Sequence, residues 1–235
     1  RTMRHSPQLC GSCNPETHIR LHFAACYHTG FRMTRSAFPY WLAIVFVVYF
    51  VVLAIEPVSR TVWIAEVIPV VLVFAALALT FQRFRFSNTA YALMAVWLFW
   101  HTLGGHYTFA NVPFDWFGDL IGSERNNYDK IGHLAQGFIP AIAAREILLR
   151  FGVVKGKGWL AFLVVCFCLA LSAFYELLEW WVALLSEEAA ESFLGTQGYV
   201  WDTQSDMFVA LIGAILALVS LGRLHDRQLQ ALERE

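Results

Sequence analysis

Charge is scarce in this 235-residue chain: Lys, Arg, Asp and Glu make up 15% of it and the formal net charge is −1. Soluble domains carry roughly 25% charged residues. No run of Lys and Arg is dense enough to track a phosphate backbone, so no nucleic-acid partner is expected. A Gly-x-Ser-x-Gly motif is also lacking, which argues against covalent catalysis by a serine on a nucleophile elbow. No inverted repeat or pair of broken helices of the transporter kind is visible.

What fills the chain instead is hydrocarbon, at 58% hydrophobic residues. The apolar residues fall in runs near the roughly 18 residues that mark a transmembrane helix. The fold class expected is therefore all-α, a polytopic membrane helical bundle of six transmembrane helices. The spans run from Phe38 to Ile55, Thr61 to Phe81, Asn88 to Phe109, Asp129 to Phe151, Trp159 to Leu185 and Thr203 to Leu221. Nine Trp and eight Tyr suit a chain with many headgroup-level interfaces, and Trp180, Trp181 and Trp201 read as such belts. Lys and Arg accumulate on the cytoplasmic side of membranes. Arg35, Arg83, Arg85, Arg150, Lys155, Lys157, Arg223 and Arg227 all fall on one side of the six-span arrangement, against Arg60, Arg125 and Lys130 on the other. Both termini are thus expected in the cytoplasm, with the two acidic connections, around Asp115 to Glu124 and Glu187 to Glu191, outside.

Three regions are expected: a leader over 1–32, a membrane domain over 33–224 and a charged, helical cytoplasmic tail over 225–235. The leader lacks the continuous apolar core of a signal peptide and reads as upstream sequence, with Met33 the natural start. Cys10, Cys13 and Cys26 lie there among His18, His22 and His28, but their spacing fits no standard zinc finger. Cys166 and Cys168 sit in an apolar run and read as buried, inert thiols.

Against this background three pairs of ionisable residues stand out. Asp129 and His133 are four apart, Glu176 and Glu179 three apart, and Asp202 and Asp206 four apart. On helices these spacings stack both members on one face. Glu176 lies nine residues before Leu185, about 13 Å of helix, and so inside the hydrocarbon. An ionisable group at the bilayer centre costs roughly 2.5 to 3.5 kcal/mol on insertion scales, so two adjacent glutamates need neutralising. His101, His106, His133 and a bound cation are the candidates. Carboxylates and imidazoles offered at i, i+3 or i+4 from several helices are how bundles build metal sites. The metal ligands expected are His133, Glu176, Glu179 and Asp206, with Asp129 and Asp202 in catalytic roles, orienting a histidine or taking a proton from water. Zinc, manganese or iron suits that mixed shell.

Ordinary readings exist for each residue. Asp129 suits the positive end of a helix macrodipole with Asn127 as its cap, and Thr203 to Asp206 reads as a capping box. Glu146 and Arg150 form a favourable i, i+4 pair with a structural role. The glutamates can share a structural network with Gln136, Tyr175 or His133.

Three motifs carry a resemblance: Asp-Lys-Ile-Gly-His-Leu-Ala-Gln-Gly-Phe (Asp129 to Phe138), Ala-Phe-Tyr-Glu-Leu-Leu-Glu-Trp (Ala173 to Trp180) and Gly-Thr-Gln-Gly-Tyr-Val-Trp-Asp-Thr-Gln-Ser-Asp-Met (Gly195 to Met207). They resemble the YjdF-like bacterial inner-membrane proteins over roughly Met33 to Leu224. A more distant likeness is to VanZ-like membrane proteins, in an aspartate-lysine-x-x-histidine helix start, a later intramembrane glutamate and an aspartate opening the last helix. The resemblance implies a multi-pass protein of the bacterial inner membrane with these acids in one site, and it supplies no reaction. Three functions then compete. The first is a metal-dependent enzyme on a lipid or envelope-precursor substrate. The second is a carrier of protons, cations or small solutes, against which the inner half offers no polar groups to complete a path. The third is a non-catalytic envelope protein held together by its polar cluster.

Overall fold

The computed structural model describes residues 37–122, 126–184 and 200–232, apart from the side chains of residues 115 and 121. The leader with its three cysteines, Met33, and the acidic connection holding Glu187, Glu188 and Glu191 lie outside the described residues. Every regular element among the described residues is helical: α1 (Phe38–Leu53), α2 (Arg60–Thr80), α3 (Asn88–Tyr107), α4 (Asp115–Ile121), α5 (Tyr128–Arg150), α6 (Lys157–Ala183) and α7 (Asp202–Leu232). The protein is a membrane helical bundle. Five of these helices answer to the first five expected spans or lie within a few residues of them. α7 runs on past Leu221 to Leu232, so the described part of the charged tail continues the last helix. The short α4 was not foreseen; it interrupts the connection between α3 and α5.

Local chemistry accounts for the ends. Pro39 sits in the first turn of α1, where a missing N–H costs nothing. Ser59 and Ser87 cap α2 and α3, each accepting a hydrogen bond from the third following amide at 3.3 Å. α3 ends where Thr108 and Phe109 adopt left-handed backbone. Phe109 folds back over Gly104, whose absent Cβ would lie 2.6 Å from its ring. Two expected caps are not made. Asn127 precedes α5, yet its side chain bonds no amide of the helix start. α7 begins at Asp202, one residue before Thr203, and the Asp206 carboxylate takes a different partner, so the capping-box reading fails.

Three helices, α2, α6 and α7, are long and apolar enough by themselves to cross a membrane, and α1 is a shorter apolar helix of 16 residues. α5 is long enough at 23 residues but too polar. Its polar residues face inward, since His133, Gln136, Arg145 and Glu146 are all buried, whereas Leu72, Leu79, Phe167 and Val219 on the other helices are exposed. Hydrocarbon outside and polar groups inside is the pattern a lipid solvent selects. Trp180, Trp181 and Trp201 are exposed, as interface belts require. Cys168 is fully buried but Cys166 is exposed, because two residues of helix turn the second thiol to another face.

Two close approaches position everything polar. α5 and α7 run in the same direction and touch backbone to backbone: a Cβ on Gly137 would lie 1.8 Å from the Ala210 carbonyl oxygen, and one on Gly213 would lie 2.2 Å from that of Leu134. Such contacts between small residues drive helix association in membranes. At Gly105, a Cβ would meet the Glu66 Cβ at 2.9 Å, which draws α2 onto α3.

Candidate functional site

The Gly137–Ala210 contact dictates what lies one turn away at the Asp129 end of the bundle. His133 precedes Gly137 by four residues and Asp206 precedes Ala210 by four, so the contact sets imidazole and carboxylate opposite each other. Asp129 is one further turn along α5. One ligand atom each from Asp129, His133 and Asp206 come within 4.8 Å of one another. His133 and Asp206 are buried and Asp129 partly so. His133 Nε2 stands 3.5 Å from Asp129 Oδ1, and its Nδ1 stands 3.8 Å from Glu176 Oε1. That second distance is too long for a hydrogen bond. Both His133 Nδ1 and Glu176 Oε1 are buried without a hydrogen-bond partner.

Lys130, which the sequence reading placed only as a surface charge, is the organiser of the α7 acids. Its Nζ donates to Asp202 Oδ1 at 2.7 Å, Asp206 Oδ1 at 2.5 Å and Ser205 Oγ at 2.5 Å. Asp202 is thereby occupied by a lysine, while the second aspartate bridges lysine and imidazole cluster. Glu179 is half-buried and within electrostatic reach of His133, Glu176, Asp129 and Glu66.

The three pairs therefore line one cavity of about 270 Å³, together with a group that spacing did not reveal. Glu66, His101 and Tyr175 form a triangle in the same lining. His101 Nε2 is 3.1 Å from Glu66 Oε2 and 3.1 Å from the Tyr175 hydroxyl, which donates to Glu66 Oε2 at 3.2 Å. Trp97 stacks on the His101 ring at 4.8 Å and 24°, fixing its plane. Gly105, four residues after His101, is what lets Glu66 approach. The available signal was a lone glutamate in an apolar run, an expense that demands a partner. His106, by contrast, turns away from this cavity and bonds the Leu53 carbonyl at 2.7 Å. His101 serves Glu66 rather than the paired glutamates.

A second polar cluster occupies the Arg150 end. Fully buried Glu146 accepts from Ser87 N at 2.9 Å, Ser87 Oγ at 2.7 Å and Arg150 Nη1 at 2.9 Å, and lies 3.1 Å from His225 Nε2. Arg145 contacts His225 Nδ1 at 3.0 Å and pairs with Asp226. This half of the bundle is thus not devoid of polar groups, contrary to the sequence reading; His225 was hidden in what looked like a surface tail. Between the two clusters lies a largely apolar layer in which Ile139, Ile142, Val164, Cys168 and Ala214 are all buried.

Comparison with known proteins places the chain in company. The family described as Predicted membrane protein (DUF2238) matches residues 38–227. "Inner membrane protein YjdF" of Escherichia coli (strain K12) is 43% identical over 202 residues, covering 84% of this chain and 97% of that relative. No solved structure matches. The chain belongs to the DUF2238 family of membrane proteins and is itself a multi-pass inner-membrane protein.

Proposed function

We propose that this DUF2238 member is a metal-dependent enzyme that hydrolyses or transfers a group on a lipid or envelope-precursor substrate in the outer half of the membrane. The observation that carries the reading is the convergence of Asp129, His133 and Asp206 donor atoms on the wall of a cavity of about 270 Å³. One imidazole nitrogen and two carboxylate oxygens suit zinc, manganese or iron. Three protein ligands leave a coordination position for water or substrate, as catalytic sites require. Asp129 thus joins His133 and Asp206 as a ligand instead of acting through them, and Asp202 holds Lys130 in place.

Glu176 and Glu179 complete the acidic wall. A metal-bound water has its pKa brought toward 7. Glu176, with a carboxylate oxygen left unpartnered and buried, would be placed to accept a proton from a water entering the cavity, and a metal held by Asp129, His133 and Asp206 would supply the acidity of that water. The Glu66–His101–Tyr175 wall is suited to return a proton to the departing oxygen. Proton transfer of this kind contributes typically 10²–10⁴-fold. A carrier is the weaker reading, because the layer between the two ends is built largely of buried apolar residues, among them Ile139, Ile142, Val164 and Ala214. A purely structural network is also the weaker reading, because it gives no account of two neighbouring unpartnered atoms, His133 Nδ1 and Glu176 Oε1, facing one cavity.

Elemental analysis of the purified protein beside Asp206→Asn and Glu176→Gln/Glu179→Gln variants tests the reading. Near-stoichiometric metal, lost in Asp206→Asn, is the expected result. Absence of metal from all three, with equal thermal stability, overturns it. The orientation has its own test: a reporter fused after Lys157 should behave as cytoplasmic, and a periplasmic result moves the site to the opposite leaflet.

A further inference from the structure

A second cavity, of about 240 Å³, opens between α6 and α7 at the Arg150 end of the bundle. Its walls are of two kinds. Leu160, Leu218 and Val219 offer hydrocarbon, whereas Arg145, Lys157 and Arg223 offer three positive charges against the single acid Asp226. Asp226 is committed to Arg145, which His225 also holds. That leaves Lys157 and Arg223, both exposed and neither in an ion pair among the described residues.

The arrangement is ordered along the membrane normal. Lys157 opens α6 and Leu160 follows it one turn deeper; on α7, Arg223 lies one turn beyond Val219. Both helices therefore set charge at the end of the bundle and hydrocarbon immediately below it. Val219 is 78% exposed, so the apolar wall is open to the lipid phase. At Gly222, which lines the cleft beside Arg223, an added Cβ would meet nothing within 4 Å, so a bulky group can approach the backbone there. An amphiphile with an anionic head and an acyl chain has this polarity, and basic pockets between transmembrane helices suit such headgroups.

We propose that this cleft binds one anionic phospholipid, its phosphate between Lys157 and Arg223 and an acyl chain along Leu160, Leu218 and Val219. A zwitterionic lipid brings its own ammonium into a cleft that already holds excess positive charge, so it is discriminated against. The proposal is independent of any reaction in the other cavity.

The test is native mass spectrometry of the full chain, released from detergent containing equimolar phosphatidylglycerol and phosphatidylcholine of matched acyl chains. The wild-type protein should retain one phosphatidylglycerol in preference. Lys157→Gln/Arg223→Gln should lower that preference by roughly thirtyfold, as loss of two headgroup contacts of about 1 kcal/mol each implies. Arg83→Gln/Arg227→Gln, which removes two exposed charges outside the cleft, should leave it intact. Equal retention of the two lipids by the wild-type protein overturns the proposal, as does an equal loss in the two double variants. Displacement of the lipid by millimolar inorganic phosphate, with equal thermal protection by phosphate alone, would reassign the cleft to a free anion.

Discussion

At one end of the α5–α7 pair, Glu146 is fully buried and receives Ser87, Arg150 and His225 at 2.7 to 3.1 Å. At the other, Glu176 keeps one buried carboxylate oxygen unpartnered and His133 one ring nitrogen, both beside a cavity. The residue types are the same, and the spacing along α5 is comparable. The difference lies in saturation. A buried charge whose hydrogen-bonding capacity is filled has no capacity left for a ligand, so it can only hold helices together. A buried charge left short costs stability, and such costs are found where something else is meant to complete the shell.

The largest expected effect falls on the saturated end. Glu146→Ala leaves the buried His225 and the Ser87 amide without their acceptor, and removing one partner of a buried pair costs about 3 to 5 kcal/mol. Chemical unfolding in detergent should register that loss, while metal content per folded molecule stays unchanged. A smaller loss than that of the Glu176 variant below would break the comparison. Gly137→Ala comes next, because it strikes both ends at once. Its new methyl would overlap the Ala210 carbonyl at 1.8 Å, so α5 and α7 must separate. Overpacking costs typically about 1 to 3 kcal/mol, and the gap between His133 and Asp206 should widen with it. We expect weaker unfolding resistance together with reduced metal retention; retention at the wild-type level would show that the crossing does not set the site.

Glu176→Gln sharpens the contrast from the unsaturated end. The neutral amide relieves an acid that faces Glu179, Asp129 and Asp206, so stability should change by less than about 1 kcal/mol or rise, the usual trade when an active-site strain is removed. Turnover should fall by at least about 10²-fold if the side chain takes a proton. A stability loss as great as that of Glu146→Ala would place Glu176 among the structural groups.

How these two ends could be read from the chain alone differs too. The Asp129/His133, Glu176/Glu179 and Asp202/Asp206 pairs were legible because helical spacing makes each pair a local object. Glu66, His101 and Tyr175 were not, because their meeting depends on Gly105 admitting α2, a contact between residues 39 positions apart in the sequence. His225 was obscured for another reason. A charged tail, helical as expected, reads as solvated, yet α7 carries the imidazole back against Glu146 before ending at Leu232. Lys130 looked like a lone surface cation because its partners lie 72 and 76 residues away. The helices themselves followed from hydrophobic runs, except that α5 could be taken as a span only by ignoring how many of its residues are polar. In lipid those polar residues are the interior.

The smallest effect belongs to Tyr175→Phe. The hydroxyl donates to Glu66 at 3.2 Å and meets His101 at 3.1 Å, so its removal takes two hydrogen bonds and leaves the ring in place. His101 and Glu66 retain each other at 3.1 Å, and the net loss should be about 0.5 to 1.5 kcal/mol. Metal content should not change, since the hydroxyl's hydrogen bonds run to Glu66 and His101 and not to the Asp129–His133–Asp206 group proposed to hold the metal. If the triangle supplies the proton to a departing oxygen, turnover should fall while substrate affinity is preserved, and the fall should be smaller for substrates whose leaving oxygen is already acidic. If the triangle only braces α2 against α3 and α6, all substrates should slow equally and in proportion to lost stability. The two patterns differ across a leaving-group series measured on one variant, which makes this modest substitution the one that separates chemistry from architecture on that wall.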